Sequence, residues 1–343
     1  SVGDYAQAII DGLKLVFAEA GIVASSIDQV RHGTTVASNA ILERKGALTG
    51  LIGSKGFRDV LEIRTLRMPR LYDLTWNKPP PLVERYLRTT VDERVNSAGE
   101  IVQALNAVEA EAAVQKLLGQ GVEAIAVCLI NSYANPAHEF VVKAAIEKCA
   151  PGIPYSISAE VLPEIREYER TSTTTINAYV KPVVASYLAS LQTGLAEAGV
   201  AAELLLMQSN GGLTPAETAK RLPMNIIESG PAGGVVGARF LGETAELGDL
   251  ITFDMGGTTA KASMVEAGQY ARADEFEVGG GILAGSRLLT GAGYKLKTQA
   301  IDLAEVGAGG GSLVWIDAGG ALQIGPESAG ASPGPVCYDA GGD

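Results

Sequence analysis

Three stretches of this chain share one grammar: an apolar run of helical period, a glycine that ends it, and a return to extended or strand-like sequence. Residues 5–20 carry Ile9, Ile10, Leu13, Val16 and Phe17 at helical spacing, with Gly21 placed as a C-cap. Val108, Ala112, Leu117 and Leu118 repeat the pattern, Gly121 stops it, and "EAIAVCLI" follows as a strand apolar on both faces. Pro182 is expected to open a third helix at its first turn, running to Gly199 ahead of the strand and glycine turn of "ELLLMQSNGG". Parallel strands need a long crossover, and a helix between strands supplies it. The repetition therefore predicts an α/β protein with mainly parallel pairing.

Two segments break this rhythm. In "NKPPPLVERYLRTTVDERVNSAGE" (77–100) the prolines mark an extended loop, and the alternation in "RYLRTTVDERV" predicts an edge hairpin. We read 77–100 as a structural insertion rather than a substrate lid. Beyond residue 250 strands are joined by glycine turns. The chain has 42 glycines, crowded after about residue 205 and without a Gly-X-Y period, so they point to tight turns and close backbone approach to a ligand. A boundary is expected near 225–245, dividing a first α/β domain (1–227) from a second unit (228–343).

The formal charge of −12 argues against a nucleic-acid or anionic-membrane partner, since both call for a basic patch. No apolar run approaches the ~20 residues of a membrane span, and no signal or transit pattern opens the chain. The cysteines, Cys128, Cys149 and Cys337, are widely spaced with no CxxC, and Cys128 lies in an apolar run as a core thiol. These features together predict a cytoplasmic protein.

Two nucleotide motifs fail. "GAGGGSL" (307–313) has Ser312 where G-x-G-x-x-G needs its last glycine, and "LVWID" after it reads as a strand, not a helix. No G-x-x-x-x-G-K-[ST] occurs. The informative stretch is "LITFDMGGTTAKASMV" (250–265). A strand ends in Asp254, Gly256 and Gly257 turn the chain, and Thr258 and Thr259 start its return. Glycines let backbone N–H groups face an anion, hydroxyls add donors, and a carboxylate at the strand end suits Mg²⁺ held through water. Just upstream, "ESGPAGGVVGA" (228–238) reads as a small-residue helix begun near Pro231.

"HGTTVASNAILERKGA" (32–47) places one of the chain's two histidines at a glycine–hydroxyl turn. His32 is a candidate proton shuttle, with Thr34 and Thr35 as donors to a phosphate or carbonyl; the structural alternative is a helix-entry turn with Thr34 or Thr35 as N-cap. His138 in "NPAHEF" reads as a helix-start or packing residue. Arg166, Glu167, Glu169 and Arg170 read as a solvated, salt-bridged face. The hydroxyl run "TSTTT" (171–175) is unfavourable in a helix, which suggests a use for it in a cleft.

A small-residue helix leading into a strand–Asp–Gly–Gly–Thr hairpin resembles the interdomain helix and second phosphate hairpin of the actin, hexokinase and heat-shock-chaperone ATPase fold. The ordered motifs "HGTTVASNAILERKGA", "REYERTSTTTINAYVKP", "MQSNGGL", "ESGPAGGVVGA", "FDMGGTT", "VGAGGGSL" and "GPESAGASPGPVCY" resemble the ATP-dependent hydantoinase A / 5-oxoprolinase family, which includes the acetone and acetophenone carboxylase subunits. The resemblance runs from about residue 30 to the last residue. It implies two domains closing over ATP and Mg²⁺, with phosphoryl transfer activating an amide or carbonyl oxygen. His32, Thr34, Thr35 and Asp254 are the expected catalytic residues, Asp254 also the metal contact. The expected cofactor contacts are Gly230, Gly233, Gly256, Gly257, Thr258, Thr259, Lys261, Gly307, Gly309, Gly310 and Gly311.

The family's first phosphate hairpin, D-[IV]-G-G-T-F-T-D, precedes its HGTT motif, and its second domain continues past the GPES motif. The chain is accordingly expected to be a piece of a longer polypeptide, incomplete at both ends. Ala260–Lys261 stands where many members have Thr–Asp. The resemblance further implies a hydantoinase-B-like partner in a hetero-oligomer, and a cyclic amide substrate of hydantoin or 5-oxoproline type. A ketone carboxylase subunit is the alternative, and an actin-like, nucleotide-switched assembly protein the more distant one.

Overall fold

The computed structural model describes residues 5–65, 72, 74, 76–257, 259–279, 291–317, 319–330 and 333–342. Its best-buried layer is a four-stranded parallel sheet in the order Arg88–Val91, Thr49–Ser54, Ala124–Cys128, Tyr155–Ile157. Every residue of the two central strands is buried, as continuous apolar runs covered on both faces require. The helices Ala107–Leu118 and Ala137–Cys149 pack on this sheet through Val114, Leu117, Val142 and Ile146. The first ends as the sequence requires, with Gly121 at φ +78.

The 77–100 segment does not stand outside this sheet. Arg88–Val91 pairs in parallel with Leu51–Ser54 and forms the sheet's edge, and the hairpin lies one strand later, between Arg94–Val95 and Ile101–Gln103. Alternation marks a half-covered strand without saying which partner it takes, so a parallel edge strand and a hairpin arm look alike in sequence.

Pro182 does not open a helix. It lies inside one that runs Glu167–Glu197, and Gly199 follows at φ +81. An interior proline removes a backbone hydrogen bond and crowds the preceding turn, at a cost of about 3 kcal/mol. That cost is offset by burial on two sides. Tyr168 and Ala178 belong to the parallel-sheet core, while Ile176, Val180, Val184, Leu188 and Leu191 belong to a second core with the helix Tyr5–Ala20 and the strand Glu203–Met207. The "TSTTT" hydroxyls sit between the two cores, all buried, and Arg170, read as a solvated residue, is buried with them.

A second sheet pairs Gln29–His32 in parallel with Glu203–Met207, which also takes Leu213–Pro215 antiparallel. The helix Ser229–Thr244 then leads to an antiparallel hairpin, Leu250–Met255 with Ala260–Glu266, flanked by Ala304–Val306. Ala232 and Val235 of the helix pack with Val265 and Ile301, and Met207 closes the same cluster from the second sheet. The small-residue helix is thus the bridge between the parallel strands and the hairpin.

Candidate active site

The glycine–hydroxyl turn is built around the start of that bridging helix. His32 ends its strand, and Gly33 passes so close to Ser229 that a Cβ there would lie 3.0 Å from the Ser229 carbonyl oxygen. The Thr34 amide donates to Ser229 Oγ at 3.0 Å, and Ser229 Oγ donates back to the Thr34 carbonyl at 2.8 Å. Thr34 is buried, its hydroxyl accepting the Val36 amide at 3.2 Å. Thr35 occupies the N-cap of the helix Val36–Leu42, but its hydroxyl makes no cap bond; it is exposed and accepts from Asn39 Nδ2 at 3.3 Å. Of the two threonines, Thr35 is the one that presents a hydroxyl outward.

His32 Nε2 and Tyr187 Oη are hydrogen-bonded at 2.6 Å, with the rings tilted at 43°. Tyr187 comes from the long helix. Burial draws the His32 imidazole below its ordinary value and pushes the Tyr187 phenol above its own, so both are neutral near pH 7. His32 is therefore held by a phenol and not by a carboxylate.

At the hairpin, Asp254 stands directly across from Lys261 in the strand register, yet the two side chains behave oppositely. Asp254 is exposed and has no hydrogen-bond or ion-pair partner among the described residues. Lys261 is buried, paired with Glu228 through a short hydrogen bond and with Glu305 at 3.6 Å. Burial alone would draw the Lys261 ammonium down; the Glu228 and Glu305 carboxylates together hold it above its ordinary value. A lysine so committed braces the hairpin against the bridging helix.

The two glycine loops meet. The Gly310 amide donates to the Gly256 carbonyl at 2.9 Å and the Gly311 amide to the Gly257 carbonyl at 2.8 Å. A Cβ on Gly311 would lie 3.1 Å from that same Gly257 oxygen, so the approach depends on glycine. Gly309 donates to Ser312 Oγ at 2.8 Å. Gly309, Gly310 and Gly311 thus spend their amides inside the protein, supporting the hairpin turn. The amide of Gly257 has no acceptor among the described residues, and a Cβ there would meet open space. Gly230 and Gly233 serve packing, against Thr35 and Met207. Thr258 lies outside the described residues; Thr259 is in the turn, with its carbonyl accepting the Gly256 amide at 3.0 Å.

Between the bridging helix and the hairpin lies a cavity of about 80 Å³ whose walls include Pro231, Gly234, Asp254 and Lys261. The turn and the hairpin are therefore linked by one short chain of contacts: Thr34 to Ser229, its neighbour Glu228 to Lys261, and Lys261 in register with Asp254. Glu228, Ser229, Glu305 and Tyr187 are the partners that motif reading passed over. The first two stand inside the quoted "ESGPAGG", where an acid and a hydroxyl ahead of a glycine helix were the available signal.

Among the described residues no group of three or more histidines, cysteines and carboxylates is placed to hold a metal ion. His138 is structural: its Nδ1 is bonded to Glu93 at 2.7 Å and its Nε2 accepts the Leu105 amide at 3.2 Å. Cys128 is buried, as its apolar run implied. Among the described residues no helix is long and apolar enough to cross a membrane.

Comparison with known proteins supplies the remaining findings. The model of the hydantoinase/oxoprolinase family matches residues 170–343, and that of the hydantoinase/oxoprolinase N-terminal region matches residues 2–150. The crystal structure of an ATP-dependent caprolactamase from Pseudomonas jessenii superimposes with a TM-score of 0.80 at 34% identity, over 98% of this chain and 48% of that one. A nucleotide-free structure of acetone carboxylase gives a TM-score of 0.79 at 28% identity, over 95% and 46%. The 5-oxoprolinase 1 of Arabidopsis thaliana is 34% identical over 99% of this chain and 28% of its own length. The chain spans under half the length of each of these proteins.

Proposed function

The chain belongs to the hydantoinase/oxoprolinase family, and on that premise we propose that it is the ATP-hydrolysing part of an enzyme that activates the carbonyl oxygen of a cyclic amide for hydrolysis. The observation that carries the reading is the exposed Asp254 carboxylate, without a partner among the described residues, beside the open Gly257 amide on a turn braced from behind by Gly310 and Gly311. A rigid turn with an unspent N–H and an unspent carboxylate fits a Mg²⁺-bound polyphosphate. The N–H faces the anion, and a lone carboxylate suffices for an ion whose other ligands are phosphates and water.

When bound, the nucleotide and its metal supply the phosphoryl group that turns an inert carbonyl into an electrophile. Asp254 would hold the metal at the strand end, the Gly257 amide would be available to the polyphosphate, and Thr35 would add the outward hydroxyl of the His32 turn. His32, neutral and oriented by Tyr187, would take or give a proton on this reading. On this reading the fold is of the actin and hexokinase type, with 1–227 as its first domain and 228–343 as the bridge and start of its second. A hydantoinase-B-like subunit in a cytoplasmic hetero-oligomer completes the chemistry on this reading; the name of one relative, caprolactamase subunit alpha, supports a multi-subunit assembly.

The acetone carboxylase superposition favours a second reading, in which the activated carbonyl belongs to a ketone and the attack ends in carboxylation. Both use the same turn. The test is ATP hydrolysis by the protein coexpressed with its hydantoinase-B-like partner. Stimulation by a lactam or hydantoin supports the first reading, and stimulation by a ketone with bicarbonate replaces it with the second. Hydrolysis that responds only to protein concentration makes the protein an actin-like assembly switch instead.

A further inference from the structure

Two adjacent residues at the start of the bridging helix tie three separate elements together. The Glu228 amide donates to Ser209 Oγ at 3.1 Å, in the loop after the strand Glu203–Met207, while the Glu228 carboxylate holds Lys261 of the hairpin. Ser209 is fixed in turn, its amide and its hydroxyl both donating to the Asn225 carbonyl, at 2.7 Å and 3.0 Å. Ser229, the next residue, is fully buried and spends its hydroxyl on the His32 turn.

That hydroxyl accepts the Thr34 amide and donates to the Thr34 carbonyl, so one side-chain atom meets both backbone groups of a single residue. Two bonds of this kind fix the residue in rotation as well as in distance. The backbones are equally close. A Cβ on Gly33 would lie 3.0 Å from the Ser229 carbonyl oxygen and 3.4 Å from Gly230 Cα, and a Cβ on Gly230 would lie 3.3 Å from Thr35 Cγ2. Glycine at both positions lets the turn sit this tightly on the helix. Thr34 is thereby committed inward, its own hydroxyl accepting the Val36 amide. His32 and Thr35, which the proposed chemistry uses, stand within two residues of this clamped point. The turn and the helix are 195 residues apart in sequence, so contacts and not chain connectivity set their spacing.

We propose that Ser229 is a positioning residue for proton transfer. By clamping Thr34 it sets the His32 turn at a fixed place relative to the Asp254–Gly257 hairpin, which Glu228 holds to the same end of the helix through Lys261. Ser229 touches neither nucleotide nor substrate and acts through His32. An imidazole must lie within hydrogen-bond reach of the group it serves, and a misplacement of about 1 Å costs about a hundredfold in rate. This deepens the proposed function and rests on that reading for the role of His32.

The test is ATP hydrolysis stimulated by a lactam, or by a ketone with bicarbonate, in the protein coexpressed with its hydantoinase-B-like partner. Ser229→Ala lowers kcat about tenfold, and by no more than His32→Asn does. KM for ATP holds, because Glu228 and Lys261 still fix the hairpin. In a His32→Asn background the same change costs nothing further, since a residue acting through His32 has nothing left to place. Ser229→Cys, a weaker donor and acceptor, recovers part of the rate. The imidazole NMR signal that His32→Asn deletes moves in Ser229→Ala, and the other imidazole signals stay. Should Ser229→Ala fail to fold, Gly33→Ala keeps both hydrogen bonds and displaces the turn by a few tenths of an ångström. A severalfold lower kcat with the same dependence on His32 is then expected. The proposal is overturned if the folded variant keeps full kcat, if its loss multiplies with that of His32→Asn, or if the loss falls on KM while the His32 signal is unmoved. A wild type stimulated by neither substrate class overturns the function and this role with it. Stimulation that survives Ser229→Ala at full kcat removes the role alone.

Discussion

The parallel sheet and the Asp254 hairpin are both built from short apolar strands, and they bury them differently. In Ala124–Cys128 every residue is buried. In Leu250–Met255, Ile251, Phe253 and Met255 are 75%, 68% and 56% exposed along one face of the strand. The sheet has helices on it and the long helix beneath it. The hairpin has the bridging helix on one face only, and Asp254, at the end of the open strand, is exposed with its neighbours. Close packing around the sheet sets polar groups against one another: Glu93 accepts from Ser54 Oγ and is bonded to His138 Nδ1. Chemistry needs groups that are both unspent and reachable, and the Asp254 carboxylate and the Gly257 amide lie where the packing is open.

The sharpest way to break this contrast is to cut the same kind of side chain from each place. Ile125→Ala, in the middle of the buried sheet, is expected to cost about 2–5 kcal/mol in a denaturant titration, the transfer and cavity cost of a core isoleucine. Phe253→Ala is expected to cost no more than about 0.5 kcal/mol, as for other surface changes. Equal costs would mean that the hairpin face is covered in solution, and the contrast would dissolve.

Asp254→Asn sharpens the comparison from the functional side. The side chain is exposed, so stability should hold. Losing one charge contact to the transferring phosphoryl should slow ATP turnover by about a hundredfold, on the order of 3 kcal/mol. Unchanged turnover in steady-state assays would reduce the hairpin to a structural turn.

Lys261→Met probes the one place where the hairpin is tied down firmly. Removing a partner from a buried pair is usually severe, but burial already pushes the Glu228 carboxyl upward, so it can take a proton when the ammonium goes. A loss of about 2 kcal/mol is expected. Adding Glu228→Gln should recover part of it, a coupling that a double-mutant cycle reads directly. Strict additivity of the two changes would show that the pair does not hold the hairpin.

The elements that sequence made legible are those whose signal is local. The helices at 5–20 and 107–118, the strands at 124–128 and 203–207, and the 250–266 hairpin each carry their own period and glycine punctuation. What escaped depends on partners far along the chain. Pro182 is tolerated in mid-helix because two cores grip the helix on both sides. Arg88–Val91 joins a parallel sheet that local alternation cannot specify. For the site, the motifs located the turn and the hairpin but not the wiring between them. Glu228 and Lys261 are far apart in sequence, and nothing in a lysine next to a phosphate-type turn tells whether it faces an anion or a buried carboxylate. Gly310 and Gly311 likewise signal close approach without saying to what, and among the described residues they approach the Gly256–Gly257 backbone.

The smallest expected effect concerns His32, which lies between the two extremes, half-buried and bonded to Tyr187. Its ordinary pKa is 6.5, and burial lowers it in the folded chain. Between the two values the unfolded chain binds a proton that the folded chain refuses, so stability there rises with pH. The contribution is complete above the ordinary value and is lost as pH falls from it toward the folded one. Melting temperatures of the wild type should therefore drop on acidification below about pH 6.5, and those of His32→Asn should drop less, the difference staying within about 1 kcal/mol. Turnover provides the other axis. If the neutral imidazole moves a proton, His32→Asn lowers lactam-stimulated ATP hydrolysis about tenfold or more, and Tyr187→Phe, which leaves the imidazole in place but frees it to turn, lowers it less. If both variants keep full turnover and differ from wild type only in the acid limb of the melting curve, then His32 belongs with the spent groups of the sheet and not with Asp254.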